Sequence, residues 1–102
     1  MLQFDLNNIR EVFKLPYGNH PAIADGYNVV VTRDPYGGHV VINDIVFSWI
    51  DGMHSWGMEV FRIDPCDRLW KSIKSKDEEQ LLMATHPVAF RIAEAMGHAL
   101  YP

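Results

Sequence analysis

Two histidines and two aspartates are the side chains in this sequence best suited to chemistry. His20 and Asp25 precede a run of β-forming residues, whereas Asp51 and His54 surround a predicted turn after the next run. An antiparallel meander brings that turn to the end of the sheet at which the first run begins. Imidazole and carboxylate groups bind zinc and serve as general acids and bases. These four residues therefore form a candidate ligand, metal or catalytic site.

The spacing around these residues is not that of a compact metal or phosphate motif. The sequence contains no HExxH, His-x-His, GxGxxG or GxxxxGK[ST] pattern, and His54 fits equally well opposite Trp49 in a strand pair. A single cysteine, Cys66, excludes an internal disulfide and a zinc ribbon with two CxxC pairs. Asp64 and Asp67 oppose its deprotonation, so we expect a buried, unreactive thiol. The sequence thus predicts no cofactor.

Length and charge limit the classes of protein that the chain could be. Its 102 residues are enough for one domain with a real core, and a hydrophobic content of 48% argues against disorder. The net charge of −4 argues against a general nucleic-acid binder and favours partners with basic surfaces. The first residues lack the pattern of a signal peptide, and no apolar run is long enough to span a membrane. We therefore expect one cytoplasmic domain over residues 1–102, without a membrane partner.

Three runs of β-forming residues predict a three-stranded antiparallel meander. The runs are residues 27–33, 39–50 and 53–63. Between the first two, Asp34-Pro35-Tyr36-Gly37-Gly38 has the composition of a turn. Between the last two, Asp51-Gly52 is typical of a tight type I′ hairpin turn.

The Asp51-Gly52 turn also predicts which side chains share a face of the sheet. It would place Phe47 opposite Trp56 and, without interruption, Asp44 opposite Glu59, which is a like-charge pair. A one-residue bulge at Asn43-Asp44 would separate these charges and return the preceding apolar residues to the face of Phe47. That face would then carry Val40, Ile42, Ile45, Phe47, Trp49, Trp56, Met58 and Val60.

Helical spacing of apolar residues predicts the elements on either side of the meander. An amphipathic N-terminal helix through Leu2 and Phe13 should end before Pro16, and residues 15–26 should form an irregular connection. After the meander, the predicted helix starts are Asp64-Pro65, the capping box that begins at Ser75, and Thr85 followed by Pro87. The fold class is therefore α+β, with an N-terminal helix, a three-stranded meander and two to three C-terminal helices packed on one sheet face.

The last helix should be the main cover of the sheet. Val88, Ile92, Met96 and Leu100 form an apolar stripe, and the alanines around them permit close approach. One helix layer leaves the second sheet face open. The apolar residues predicted there are Val41, Val46, Ile50, Met53, Phe61 and Ile63. Because exposed apolar area drives association, either a helix, a partner or a second copy of the chain must cover this face.

The candidate partner-binding residues follow from this face and from the predicted turns. Tyr36, held between a proline and a glycine, is a low-entropy contact residue of the kind that is enriched at interfaces. The full set of candidates is Tyr36, Met53, Phe61, Ile63 and Tyr17. The sequence therefore predicts a non-enzymatic protein that docks on another protein, as an inhibitor or adaptor of the type that phages and mobile elements encode.

Two alternatives remain open from the sequence. The first is a small ligand-binding or metal-binding protein or hydrolase that uses the His20, Asp25, Asp51 and His54 cluster. The second is a nucleic-acid-binding module that uses the basic segment Arg68, Lys71, Lys74 and Lys76. The element order is similar to that of double-stranded RNA-binding domains, but residues 85–88 at the start of the last helix carry no lysine or arginine.

Overall fold

A computed structural model describes residues 2–51 and 58–100 and arranges them as one seven-stranded sheet followed by two helices. The strands are β1 (Leu2–Phe4), β2 (Gly18–Ala24), β3 (Tyr27–Asp34), β4 (Gly37–Ile42), β5 (Ile45–Ile50), β6 (Glu59–Ile63) and β7 (Trp70–Ser72). Spatial order follows chain order, and every pair is antiparallel except β1 with β2. The helices are α1 (Lys76–Thr85) and α2 (Pro87–Leu100). The α+β class is confirmed, but the count of three strands is wrong.

The predicted N-terminal helix is not formed. Leu2–Phe4 pairs with β2 instead, and the side chain of Asp5 then accepts hydrogen bonds from the N–H groups of Asn7 and Asn8. This local turn competes with helical hydrogen bonding and ends the strand. A short 3₁₀ helix, Ile9–Lys14, follows and buries Ile9 and Val12.

The segment predicted to be irregular contains β2. Pro21 lies within this strand, opposite Val30, although proline cannot donate a ladder hydrogen bond. Among the described residues, β1 pairs with β2 only from Ala22 onward, so the ladder partner of Pro21 there is Val30 of β3. Asp25 and Gly26 both have positive φ, of 49° and 85°, and reverse the chain into β3. This Asp-Gly turn matches the type I′ requirement.

The predicted bulge at Asn43-Asp44 is a two-residue hairpin turn that joins β4 to β5. Asn43 has a positive φ of 53°, and Ile42 pairs with Ile45 across the turn. The two residues that flank such a turn lie on the same face of the sheet. The turn therefore places Ile42 and Ile45 on one face, as the predicted bulge would have done. Val40 consequently lies beside Phe47 on one face, as predicted.

The predicted register between the last two long strands is also wrong. Phe47 pairs with Val60 rather than Trp56, a displacement of four positions. Gly52 of the predicted tight turn lies outside the described residues. Since four is an even number, the displacement leaves each side chain of β6 on its predicted face.

Asp64-Pro65 starts a turn rather than a helix. The side chain of Asp64 accepts hydrogen bonds from the N–H groups of Cys66 and Asp67, and its own N–H donates to the carbonyl of Leu69. Arg68 has a positive φ of 61°, which sends the chain back along β6 as β7. The apolar spacing that suggested a helix here therefore belongs to an edge strand.

The two C-terminal helices are those that the sequence predicted. Ser75 Oγ accepts a hydrogen bond from the N–H of Glu78 at 3.1 Å, so it caps α1 as expected. Pro87 is the first residue of α2, where its missing N–H is harmless. Thr85 has a different role, because it ends α1 and donates its hydroxyl hydrogen to the carbonyl of Leu81.

The main core lies between the sheet and α2. The side of the sheet that faces this helix, here called the inner face, carries Ala22, Ala24, Val29, Val31, Val40, Ile42, Ile45, Phe47 and Trp49. Ile92 and Met96 of α2 are fully buried against it, and the ring of Phe90 packs edge-on to Phe47 at 5.9 Å. The 3₁₀ helix closes one side, where Phe13 lies 5.0 Å from the ring of Trp49. The predicted apolar stripe of α2 therefore covers the sheet.

Gly38 is required by packing rather than by a turn. It belongs to β4, and a Cβ atom there would lie 2.5 Å from the carbonyl oxygen of Thr32 and 2.8 Å from the ring of Trp49. We expect Gly38→Ala to lower the free energy of unfolding by about 1–3 kcal/mol, measured by urea denaturation. Gly97→Ala in α2 is the control, because its Cβ would meet nothing within 4 Å and alanine favours a helix by about 1 kcal/mol. Equal stability of Gly38→Ala and wild type would contradict this packing.

Candidate docking surface

The side of the sheet that faces away from α2, here called the outer face, carries an apolar row across five strands. Strand pairing places the members of this row side by side. They are Pro21, Val30, Val41, Val46 and Phe61. Neither α1 nor α2 packs on this row, since both helices lie on the inner side of the sheet. The two helices therefore leave this row uncovered, and any cover within the chain comes from its loops or strands.

A polar row lies next to the apolar one. Its members, again in strand order, are Asn19, Thr32, His39, Ser48 and Glu59. The hydroxyl of Thr32 donates to the side-chain oxygen of Asn19 at 2.8 Å. The outer face thus combines an apolar stripe with hydrogen-bonding groups along one border, which is the usual composition of a protein interface.

Part of the outer face is buried by β7. Trp70 packs against the rings of His39 at 4.7 Å and Phe61 at 5.7 Å, and beneath these rings Val46 has no exposed surface. Ile63, the cross-strand partner of Trp70, is buried as well. The outer face therefore has a small core of its own. This core was not predicted, because the helix expected from Asp64-Pro65 onward would have included Trp70, although the alternation of Trp70 and Ser72 around Lys71 fits a strand.

Several apolar side chains of the outer face remain exposed. Ile50 is 55% exposed, Trp70 42% and Val30 40%, and Tyr36, which lies in the turn beside Ile50 at the end of the sheet, is 79% exposed. Together with the half-buried Phe61 they define the outer docking surface. The backbones of Tyr36 and Ile50 lie next to each other. The Asp51 N–H donates to the carbonyl of Tyr36, and Gly37 pairs with Ile50.

The turn that carries Tyr36 is held by its own hydrogen bonds. The side chain of Asp34 accepts from the N–H groups of Tyr36 and Gly37 at 2.8 and 2.9 Å. These bonds fix the backbone of the turn, so binding would cost little additional backbone entropy. The prominent position predicted for Tyr36 agrees with its exposure.

The other predicted partner-binding residues have different surroundings. Tyr17 is exposed and precedes Gly18, which pairs with Arg33 near the Tyr36 turn. Ile63 lies on the outer face but is buried, so its side chain offers little area to a partner. Met53 lies outside the described residues.

The predicted ligand cluster is not assembled by the described residues. Asp25 pairs with Arg91 of α2 at 2.5 Å, at the end of β3 where Tyr27 lies. Asp51 pairs with Arg33 near the opposite end of the same strand. The carboxylates of Asp25 and Asp51 are therefore separated by the length of β3.

The two histidines of that cluster add no neighbouring ligands. His20 donates its Nε2 hydrogen to the carbonyl of Pro16 at 2.7 Å, and His54 lies outside the described residues. Within residues 2–51 and 58–100, no three histidine, cysteine or acidic side chains come together as a metal site would require.

The buried guanidinium of Arg33 explains the position of Asp51. Arg33 has only 9% of its surface exposed, and its two terminal nitrogens lie 3.3 and 3.4 Å from the Asp51 carboxylate. Trp49 donates its indole N–H to the same carboxylate at 3.2 Å. Asp51 thus compensates a buried charge, a role that requires no ligand.

The basic segment is partly neutralised within the chain. Arg68 pairs with Asp44 at 3.4 Å and Lys71 with Asp67 at 3.0 Å. The backbone N–H of Leu69 and the ammonium group of Lys71 lower the pKa of Asp67, which keeps this carboxylate ionised. Two of the four basic side chains that the predicted nucleic-acid-binding module would use are therefore already paired with a carboxylate.

Cys66 lies in the turn before β7 and is exposed, which corrects the prediction of a buried thiol. The turn that Asp64 organises holds this residue at the surface, because Asp64 accepts the hydrogen bond from the Cys66 N–H. A helix in its place could have turned the thiol inward. The position of Cys66 alone does not identify a group that would react with its thiol.

Comparisons of the chain with protein-family models, curated proteins and solved structures found no match. In the described residues, no helix has the length and apolar character needed to cross a membrane.

His39 makes the outer face sensitive to pH. Partial burial lowers the pKa of His39 below its ordinary value, and the carboxylate of Asp34 opposes this shift. The unfolded chain therefore takes up the proton at a higher pH than the folded protein does, so stability should fall as the pH is lowered through about 6.5.

Comparison of wild type with His39→Gln tests this dependence. We expect the free energy of unfolding of wild type, relative to that of His39→Gln, to decrease as the pH is lowered from about 7.5 to 5, measured by urea denaturation across that range. His98→Gln is the control, because His98 is largely exposed and lies at the other side of the molecule on α2. A constant difference between wild type and His39→Gln would show that this histidine titrates equally in both states.

Proposed function

We propose that the chain acts as a non-enzymatic protein that docks on another protein, as an inhibitor or adaptor, through the outer docking surface. The observation that carries the proposal is the set of exposed apolar side chains on a face that neither helix covers, together with the exposed Tyr36 in the adjoining turn. Tyrosine and tryptophan are enriched at the energetic centres of interfaces, and each buries about 150–250 Å². Tyr36 and Trp70 supply one of each.

The rigidity of the surface supports this proposal. Val30 and Ile50 project from paired strands, and Trp70 is fixed by its ring contacts with His39 and Phe61. Side chains that are already ordered lose little entropy on binding. The affinity of such a surface depends on a few anchors rather than on its total area.

The distribution of charge supports a partner with a basic surface. Six of the nine lysine and arginine side chains pair with a carboxylate of the same chain. Asp34 and Glu59 are exposed at the borders of the outer face. Complementary charge at an interface border mainly accelerates association and selects the partner.

The test is affinity capture from native lysate with the wild type and with Tyr36→Ala, after light scattering has fixed the mass of each. Because Tyr36 is largely exposed, the variant should keep its fold and lose partner affinity by about tenfold or more, measured by calorimetry with the purified partner. Tyr27→Ala is the matched control, since Tyr27 is an exposed tyrosine at the opposite end of β3.

Each outcome of this experiment has a distinct meaning. Retained affinity in Tyr36→Ala would remove this residue from the surface. A dimer mass without any other partner, lost in Trp70→Ala but not in Tyr27→Ala, would assign the outer face to a second copy of the chain. Stoichiometric metal in the purified protein would instead favour the ligand-binding or metal-binding alternative and return attention to His20.

A further inference from the structure

An apolar groove lies on the inner side of the molecule, away from the outer docking surface. It runs between β6, α1 and α2 and has a volume of about 580 Å³. Met58, Met83 and Phe90 supply apolar walls, and Gly97 of α2 lies among them. Methionine side chains are flexible and adapt to varied apolar partners, which makes them common on peptide-binding surfaces.

The groove has room that the fold itself does not need. A Cβ atom on Gly97 would meet nothing within 4 Å, although glycine within a helix costs about 1 kcal/mol relative to alanine. The neighbouring helix α1 has no fully buried residue, and Met83 is 45% exposed. One wall is therefore lightly attached to the core and can adjust to an occupant.

The charges at the groove select the kind of occupant. Glu79 of α1 and Glu94 of α2 lie on its two helical walls, and His98 lies 3.7 Å from Glu94. Among the described residues that line the groove there is no lysine or arginine. An apolar floor between two carboxylates is complementary to an apolar stripe with basic residues on both sides.

We propose that this groove binds a basic amphipathic helix of a partner protein. Apolar side chains of that helix at positions i, i+3, i+4 and i+7 would enter between Met58, Met83 and Phe90. Its flanking lysines or arginines would pair with Glu79 and Glu94. This site is separate from the outer docking surface, so the chain would have two docking sites on opposite sides of the sheet.

The test uses a labelled synthetic helical peptide with leucines at i, i+3, i+4 and i+7 and lysines beside them, titrated by fluorescence anisotropy. Wild type and Tyr27→Ala should bind it alike, because Tyr27 does not line the groove. Gly97→Leu should weaken binding by about tenfold or more, because its side chain fills the space, while urea denaturation confirms an intact fold. Glu79→Gln with Glu94→Gln should weaken binding and reduce its dependence on salt.

Control peptides and an independent variant separate the possible results. A peptide with glutamates in place of the lysines should not bind. Tyr36→Ala should bind the basic peptide as wild type does, so failure of the outer docking surface and failure of the groove are distinguishable. Absence of binding to wild type, or equal binding to Gly97→Leu, would overturn the proposal.

Discussion

The packing of α2 against the inner face of the sheet is the interaction on which the rest of the structure depends. Ile92 and Met96 are fully buried there, and burial of each such side chain contributes about 1.5–3 kcal/mol. Because α2 and the 3₁₀ helix both use this face, no helix of residues 2–51 and 58–100 covers the outer face. Trp70 instead covers part of its apolar row. The apolar area that remains exposed supports the proposed docking role.

Side-chain parity was predictable from the sequence, whereas the number of strands was not. Val40 and Phe47 must share a face because both are apolar, and either a bulge or a two-residue turn at Asn43-Asp44 achieves this. Periodicity alone cannot distinguish the two. The Asp-Gly signal has the same ambiguity: Asp25-Gly26 forms a two-residue turn, whereas Phe47 pairs with Val60 and not with Trp56, the partner that Asp51-Gly52 predicted for it. Which turn forms depends on the pairing of the flanking strands.

Two of the strands that the sequence did not predict, β1 and β7, are short and depend on tertiary contacts. Leu2–Phe4 and Trp70–Ser72 have three residues each and become strands only by pairing with a longer neighbour. The exposure of Tyr36 was predictable because its turn depends on local residues. The burial of Ile63 was not, because it requires Trp70 to return over the outer face. The exposure of Tyr36 therefore follows from local chemistry, whereas the burial of Ile63 follows from long-range pairing.

The two proposed docking sites differ in how they relate to the core, and this difference bears on the choice between inhibitor and adaptor. An inhibitor requires one occupied surface, whereas an adaptor requires two that can be occupied together. The fully buried Phe47 and Ile45 lie on the inner face of the sheet that separates the outer docking surface from the groove. The described residues that line the groove are different from those of the outer docking surface, so one partner does not occupy the site of the other. Independent occupation is then the expected behaviour, and it is the behaviour that an adaptor needs.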